Sequence, residues 1–113
     1  MSFKKTVPDF KEQAQQIMRN GLELLQQANN EKADQLFLQA HQLNPENIDA
    51  LNLLGIRSYQ KQDYENALHF LNSAYALAPN SLHILSNLGL VHNAKLQFKE
   101  ALECFNLAIE QDA

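Results

Sequence analysis

Cysteine and glycine are scarce in this sequence, and their scarcity excludes several kinds of site. Cys104 is the one cysteine among 113 residues, so no disulfide can form within the chain, and we expect a reducing, cytoplasmic location. The three glycines are too scattered to form a glycine-rich phosphate loop. The four histidines show neither an i, i+4 pair nor a Cys/His ligand spacing. We therefore predict no metal, no cofactor and no catalytic activity.

Positive charge and long apolar runs are lacking as well. The chain carries 9 Lys and Arg against 13 Asp and Glu, a net charge of −4, and its longest cationic run is Lys4-Lys5. Nucleic-acid-binding proteins normally present a basic face, so we predict no nucleic-acid partner. No apolar run approaches the ~20 residues that cross a bilayer, and the amino terminus lacks the apolar region of a signal peptide. We therefore expect no membrane association.

A repeat of small residues organises the rest of the chain. Gly21, Gly55 and Gly89 lie 34 residues apart (55 − 21 and 89 − 55). Alanines follow each glycine at offsets of 12 and 19, and a large apolar residue follows at an offset of 16: Ala33, Ala67, Ala101; Ala40, Ala74, Ala108; Phe37, Leu71, Phe105. Pro45 and Pro79 end the first two copies. Two helices that cross closely need Gly or Ala where a larger side chain would force the backbones apart, so the period predicts stacked helical hairpins.

This spacing resembles the tetratricopeptide repeat (TPR) family over residues 14–113. The resemblance implies an all-α fold, an α-solenoid of three antiparallel helix-turn-helix hairpins that form a right-handed superhelical segment with a concave groove. We predict repeats at residues 14–47, 48–81 and 82–113 in one domain, after a lead of residues 1–13 that contains the start of the first helix. The third copy ends one residue before its closing proline is due.

Six helices follow from the apolar spacing and the capping residues. Asp9 with Glu12 three residues later forms a capping box, Asp63 is a good N-cap, and Asn80 or Ser81 caps the fifth helix. The predicted helices cover about Asp9–Gln27, Glu31–Leu43, Glu46–Gln60, Tyr64–Leu77, the cap at Asn80 or Ser81 to Lys95, and Phe98 to the terminus.

A second band of side chains runs along the first helix of each repeat, and packing within one hairpin does not explain it. Its members, at i, i+4 and i+7, are Met18, Leu22, Leu25; Asn52, Ile56, Tyr59; and Ser86, Leu90, Asn93. The resemblance implies that this side lines the concave groove, where peptides or partner helices lie. Asp49 and His83 fall on the same surface one turn earlier, and Asn87 lies beside it. For Leu22 and Leu90, packing between repeats is an equally good interpretation.

Two specialised grooves of the family are incomplete here. Family members that clamp the free carboxylate of a chaperone tail use Lys, Asn and Arg at places that in this chain hold Met18, Leu22, Leu53, His83 and Asn87. We therefore predict that the clamp is missing. The glycosyltransferase arms of the family carry an asparagine ladder along the groove, to which Asn87-Leu88-Gly89 is similar. Arg19 and Leu53 occupy the other two rungs, so one rung survives.

The function that these patterns favour is a non-enzymatic protein-protein interaction module that binds a peptide or partner helix in the concave groove, with little salt dependence. One alternative is that the chain is an N-terminal recruiting arm or fragment of a larger enzyme of the glycosyl-, sulfo- or methyltransferase type. Another is a homo-oligomeric scaffold, a homodimer joined through the last helix, where Leu102, Phe105 and Ile109 form an apolar face at helical spacing. That face is explained either by self-association or by the chain being a fragment of a longer protein. We favour the fragment because the third copy stops short of its proline.

Overall fold

The computed structural model describes residues 9–112, and all regular secondary structure in that range is α-helical. Its helices are α1 (Phe10–Gln26), α2 (Asn30–Leu43), α3 (Ile48–Gln60), α4 (Tyr64–Leu77), α5 (Leu82–Ala94) and α6 (Phe98–Asp112). The all-α prediction is confirmed, and all six helices begin and end within two residues of the predicted bounds. Residues 1–8 of the predicted lead lie outside the described residues.

Helix starts follow the capping side chains that the sequence offers. The Asp9 carboxylate accepts from the backbone N–H groups of Lys11 and Glu12, at 3.1 Å each. Asp63 and Ser81 cap α4 and α5 in the same way. The start of α3 was predicted two residues too early, at Glu46. Asn44 Oδ1 accepts from the Glu46 N–H at 3.3 Å, and this local turn holds Glu46 outside the helix.

The turn inside each hairpin is closed by a residue in the left-handed conformation. These residues are 34 positions apart and none is glycine: Ala28 (φ 61°), Gln62 (φ 63°) and Leu96 (φ 62°). At the third turn, the N–H of Leu96 donates to Asn93 O at 3.0 Å and that of Gln97 to His92 O at 2.8 Å. This is the Schellman pattern, which satisfies the last carbonyls of the helix and lets the next helix start at once.

Sequence neighbours pair into hairpins, α1 with α2, α3 with α4 and α5 with α6. Each first helix has its glycine directly against a large side chain of the second helix. A Cβ on Gly55 would lie 2.5 Å from Leu71 Cγ, too close for any real contact. Gly21 and Gly89 meet the rings of Phe37 and Phe105 at 2.6 and 2.5 Å by the same measure. The glycine spacing in the sequence therefore marks the helix contact of each hairpin.

The chain divides into two compact units, Met1–Asn47 and Ile48–Ala113. In the first unit, α1 and α2 pack through buried Ala14, Ala33, Phe37 and Ala40. In the second unit, α4 also packs against α5, so that α3–α6 share one core. Its buried members are Leu51, Ala67, Leu71, Ala74, Ile84, Leu88 and Val91. None of the helices within residues 9–112 has the length and apolarity needed to cross a membrane.

Candidate functional site

A hollow of about 220 Å³ lies between α3 and α5 in the second unit. Residues from three helices line it: Ile56, Tyr59 and Gln60 from α3, Leu71 from α4, and Asn87, Leu90 and Val91 from α5. Four of these residues were predicted to line the groove: Ile56, Tyr59 and Leu90 of the band, and Asn87 beside it. The second unit therefore brings the predicted residues of two successive first helices to one concave place.

The floor and walls of this hollow differ in exposure. Leu71 and Val91 lie at its apolar floor and are fully buried, whereas Leu90 is 45% exposed at the rim. Ile56 is half-buried between them. If an apolar side chain of a ligand entered the hollow, most of its surface would be removed from water. Such burial is the usual source of binding energy at a concave site.

A side-chain amide pair bridges α3 and α5 beside the hollow. Asn87 Nδ2 donates to Asn52 Oδ1 at 2.9 Å, and both residues are half-buried. A primary amide has two donor hydrogens and an acceptor oxygen with two lone pairs. One mutual bond therefore leaves Asn87 Oδ1 able to accept and Asn52 Nδ2 able to donate. The pair can therefore accept a hydrogen bond from a peptide N–H group and donate one to a peptide C=O group.

Tyr59 forms one side of the hollow with a ring that is already positioned. Its ring centroid is 5.9 Å from that of Tyr64, at an interplanar angle of 46°. Tilted aromatic pairs of this kind are favourable beyond the area they bury, so the contact restrains the Tyr59 ring before any ligand arrives. A restrained aromatic side chain loses little conformational entropy on binding.

The remaining predicted residues of the second unit lie outside this hollow. Ser86 is half-buried, and Asp49, His83 and Asn93 are exposed. None of these four lines the hollow between α3 and α5. They remain predicted contacts of a ligand that extends beyond it.

In the first unit, the predicted band on α1 is less uniform than its sequence suggested. Leu22 is 42% exposed and Leu25 is half-buried, whereas Met18 is 2% exposed. Met18 therefore presents almost no side chain to a ligand in this conformation. Leu22 and Leu25 remain the accessible members of the predicted band in this unit.

The described residues show no arrangement that suggests catalysis. Within residues 9–112, no group of three His, Cys, Asp or Glu side chains could hold a metal ion. His92 Nδ1 lies 2.8 Å from Gln97 Oε1, so this ring bridges the α5–α6 turn. Burial, and secondarily the negative charge of Glu103, raises the pKa of the Cys104 thiol. A raised pKa lowers the thiolate fraction, so Cys104 is a poor nucleophile.

Sequence reasoning missed the amide pair and three residues that line the hollow. Gln60, Leu71 and Val91 were not among the predicted groove residues, and Leu71 was assigned to the packing within its hairpin. The sequence does contain a signal for the pair. The separation of Asn52 and Asn87 exceeds the 34-residue period by one, which puts them on facing sides of successive first helices. Only the observed helix approach brings their side chains into contact.

The predicted self-association face on α6 is partly exposed. Leu102 and Ile109 are 60% and 68% exposed. Phe105, which we expected to share that face, turns its ring toward Gly89 in the same hairpin and is half-buried. The Phe105 ring therefore packs mainly within the α5–α6 hairpin, and only part of its surface faces outward.

No family model matches the chain, and no curated protein matches it, but solved structures do. The second TPR of Spaghetti (RPAP3), solved with an HSP90 peptide, SRMEEVD, is 17% identical with a TM-score of 0.83, over 89% of this chain and 88% of that one. A crystal structure of MamA is 20% identical with a TM-score of 0.81, over 88% of this chain. The chain spans 58% of the length of that MamA chain.

An O-GlcNAc transferase mutant of Thermobaculum terrenum is also similar, at 23% identity and a TM-score of 0.86 over 94% of this chain. This chain covers 20% of that enzyme. At such identities the similarities show the fold. The fold is that of TPR helical hairpins, as the resemblance implied.

Proposed function

We propose that the chain is a non-enzymatic protein-interaction module, and that the hollow between α3 and α5 seats an apolar side chain of an extended peptide. The observation that carries the proposal is the juxtaposition of an apolar hollow with the Asn52–Asn87 amide pair. We further propose a cytoplasmic location, which the single, poorly reactive Cys104 supports.

The two parts of the site would recognise different parts of a peptide. The hollow of about 220 Å³ is large enough for one aliphatic or aromatic side chain, and its lining is mostly apolar. The amides would bond to the backbone next to that side chain, because a backbone N–H and C=O buried at a site must find partners. An extended strand exposes both groups, whereas a helix has already used them. The site therefore favours an extended segment over a helix.

The residues that line the hollow carry no formal charge, so a free terminal carboxylate is not needed for binding. The RPAP3 domain is described with the peptide SRMEEVD, and the corresponding clamp places here hold Met18, Leu22, Leu53, His83 and Asn87. We propose that the ligand is an uncharged internal segment of its protein, with an apolar residue flanked by small or polar ones.

A display experiment tests this function without knowledge of the natural partner. Random peptides displayed on phage would be selected on the wild-type chain, and the affinities of the enriched peptides measured by fluorescence anisotropy. We expect a shared apolar residue in otherwise uncharged sequences. In the double variant Ile56→Ala, Tyr59→Ala, Kd should rise about tenfold or more, since truncation of central apolar contacts typically costs more than about 1 kcal/mol.

A matched double variant controls for nonspecific effects. Leu77 and Leu107 are 41% and 39% exposed and lie outside the hollow, so Leu77→Ala with Leu107→Ala should leave Kd unchanged. Circular dichroism would check that both double variants keep their helices. Equal Kd values for the wild-type chain and the Ile56, Tyr59 variant would place the site elsewhere.

A second candidate function is that of a recruiting arm of a larger enzyme of the glycosyl-, sulfo- or methyltransferase type. The similarity to an O-GlcNAc transferase, of which this chain covers 20%, supports it. In that case the same hollow would capture the substrate protein of the enzyme. Reading the open frame beyond Ala113 decides between the two, because an adjoining transferase domain would make the module an arm.

A further inference from the structure

An uncovered apolar stripe follows the outer side of α6, and the repeat shows what kind of element covers such a stripe. The residues of this α6 stripe are Phe98, Leu102, Phe105 and Ile109. Their exposures are 60% for Phe98 and Leu102 and 68% for Ile109, with Phe105 half-buried. They follow a spacing of i, i+4, i+7 and i+11, which keeps them on one side of the helix.

The equivalent stripe on α4, 34 residues earlier, is covered. Its residues are Tyr64, Leu68, Leu71 and Tyr75. Leu71 is fully buried, and the other three pack against the core to which α5 contributes Ile84, Leu88 and Val91. A face of this type therefore accepts one more helix with an apolar stripe of its own. Among residues 9–112 no helix takes that place on α6.

A second feature at the same end is also uncovered. A hollow of about 230 Å³ adjoins the α6 stripe, lined by Leu82, Ser86, Ala108, Ile109 and Asp112. One repeat earlier, the equivalents of Leu82, Ile109 and Asp112 are Ile48, Tyr75 and Ala78. Those three pack against the shared core of α3–α6. The stripe and the hollow are thus two parts of one open docking surface.

We propose that this surface is covered by a second copy of the chain, with α6 of one copy packed antiparallel to α6 of the other. Twofold symmetry makes such a contact self-complementary, so that each residue of the stripe meets the stripe of the partner. The antiparallel arrangement brings Phe98 of one copy beside Ile109 of the other. A large ring then lies next to the open hollow at that end.

Two opposite charges beside the stripe, Lys99 and Glu110, are spaced for this pairing, with the exposed Glu103 between them on the same flank. Lys99 and Glu110 are 11 residues apart, close to three full helical turns, so they lie on the same flank of α6, and both are exposed. In an antiparallel twofold pair the same flank of each helix meets its counterpart. Lys99 of each copy then lies near Glu110 of the other, and the interface gains two equivalent ion pairs.

A head-to-tail arrangement has no such support. The stripe on α4 is covered by Ile84, Leu88 and Val91 of α5. The equivalent positions of α1 hold Gln16, Asn20 and Glu23. All three are exposed, and Gln16 Nε2 donates to Asn20 Oδ1 at 3.1 Å. A polar helix face of this kind does not remove an apolar stripe from water. The contact is therefore closed and dimeric, not an open filament.

Light scattering after size separation, over a concentration series of the full chain, tests the proposal. The wild-type chain should approach twice the mass of one chain as concentration rises. Leu102→Glu and Ile109→Glu should each raise the dimer dissociation constant about 100-fold or more, because the interface would have to dehydrate a carboxylate. Leu107→Glu, on the opposite side of the same helix, is the matched control and should dimerise as the wild-type chain does.

A charge swap tests the antiparallel register. Lys99→Glu alone and Glu110→Lys alone should each weaken the dimer about tenfold, since each replaces two attractive pairs with two repulsive ones. The double variant Lys99→Glu, Glu110→Lys should restore the wild-type dissociation constant. A monomer at every concentration, or a dimer that Leu102→Glu leaves intact, overturns the proposal. So does a double variant no tighter than the single ones.

Discussion

The helix contact at Gly55 depends on the absence of a single carbon atom. A Cβ there would lie 2.5 Å from Leu71 Cγ and 2.8 Å from Leu71 Cδ2. Leu71 is fully buried in the core that α3–α6 share, and protein interiors are close-packed. A glycine inside a helix costs about 1 kcal/mol relative to alanine, so its presence at three equivalent places reflects packing, not helix propensity.

Gly55→Leu should therefore destabilise the protein by at least ~1–3 kcal/mol, the usual cost of overpacking a dense interior. The free energy of unfolding, measured with urea and followed by circular dichroism, checks this. Asn72→Leu, an exposed position on α4, serves as control and should change stability by less than about 0.5 kcal/mol. Similar losses for the two variants would contradict the observed contact at Gly55.

The three left-handed turn residues show the opposite situation, where glycine is absent although the backbone favours it. Leu96 has φ 62° and is 73% exposed, so its side chain gains little from packing while its backbone is strained. For an L-residue, the left-handed conformation costs roughly 1–2 kcal/mol. Glycine avoids that cost but loses about 0.4–1 kcal/mol through the greater freedom of the unfolded chain.

Leu96→Gly should therefore stabilise the protein by about 0.5–1 kcal/mol. Leu96→Ala is the informative comparison, because alanine removes the exposed side chain but keeps the strained backbone. The urea midpoint should rise for the glycine variant and stay near the wild-type value for the alanine variant. Equal midpoints for both would mean that the left-handed backbone at this turn carries little strain.

At the scale of elements, the helices could be predicted because the determinants of their ends are local. Asp9, Asp63 and Ser81 act as N-caps where the sequence places them, and Pro45 and Pro79 separate the hairpins. The start of α3 was missed because an asparagine side chain competes for the first backbone N–H group after Pro45. The left-handed turns were not predicted, since Ala, Gln and Leu carry no signal for that conformation.

The candidate site was predictable only in part, because it depends on how closely two helices approach. The i, i+4, i+7 spacing assigned Ile56, Tyr59 and Leu90 to one band, and these three residues line the hollow. The spacing could not show that Asn52 and Asn87 meet at 2.9 Å, or that Leu71 of a different helix forms the floor. Phe98 was missed in the α6 stripe because it is the first residue of its helix, where periodicity has just begun.

At the scale of the whole molecule, electrostatics separates this chain from domains that bind acidic tails. The net charge is −4, and twelve asparagines and twelve glutamines supply hydrogen bonds without adding charge. Such a surface exerts little long-range attraction on any ligand and repels acidic ones. Binding that depends on apolar contact and amide bonds should also be insensitive to salt.

The peptide SRMEEVD, described with the RPAP3 domain, should therefore bind this chain far more weakly than the peptides selected by phage display. Its carboxylates outnumber its basic groups, and the five clamp places in this chain contain no lysine or arginine. Fluorescence anisotropy at low and high salt measures both peptides side by side. Tight, salt-sensitive binding of SRMEEVD would contradict the prediction that the carboxylate clamp is missing.

The pairing of each helix with its sequence neighbour also governs when the protein can fold. Each hairpin closes within one 34-residue period, so its formation requires only a short loop closure and no contact with distant parts of the chain. Chains with such local contacts are among the fastest folders. Ribosomes add roughly 5–20 residues per second. The α1–α2 hairpin can therefore form while the last third of the chain is still being synthesised, and the protein is assembled in the order in which it is translated.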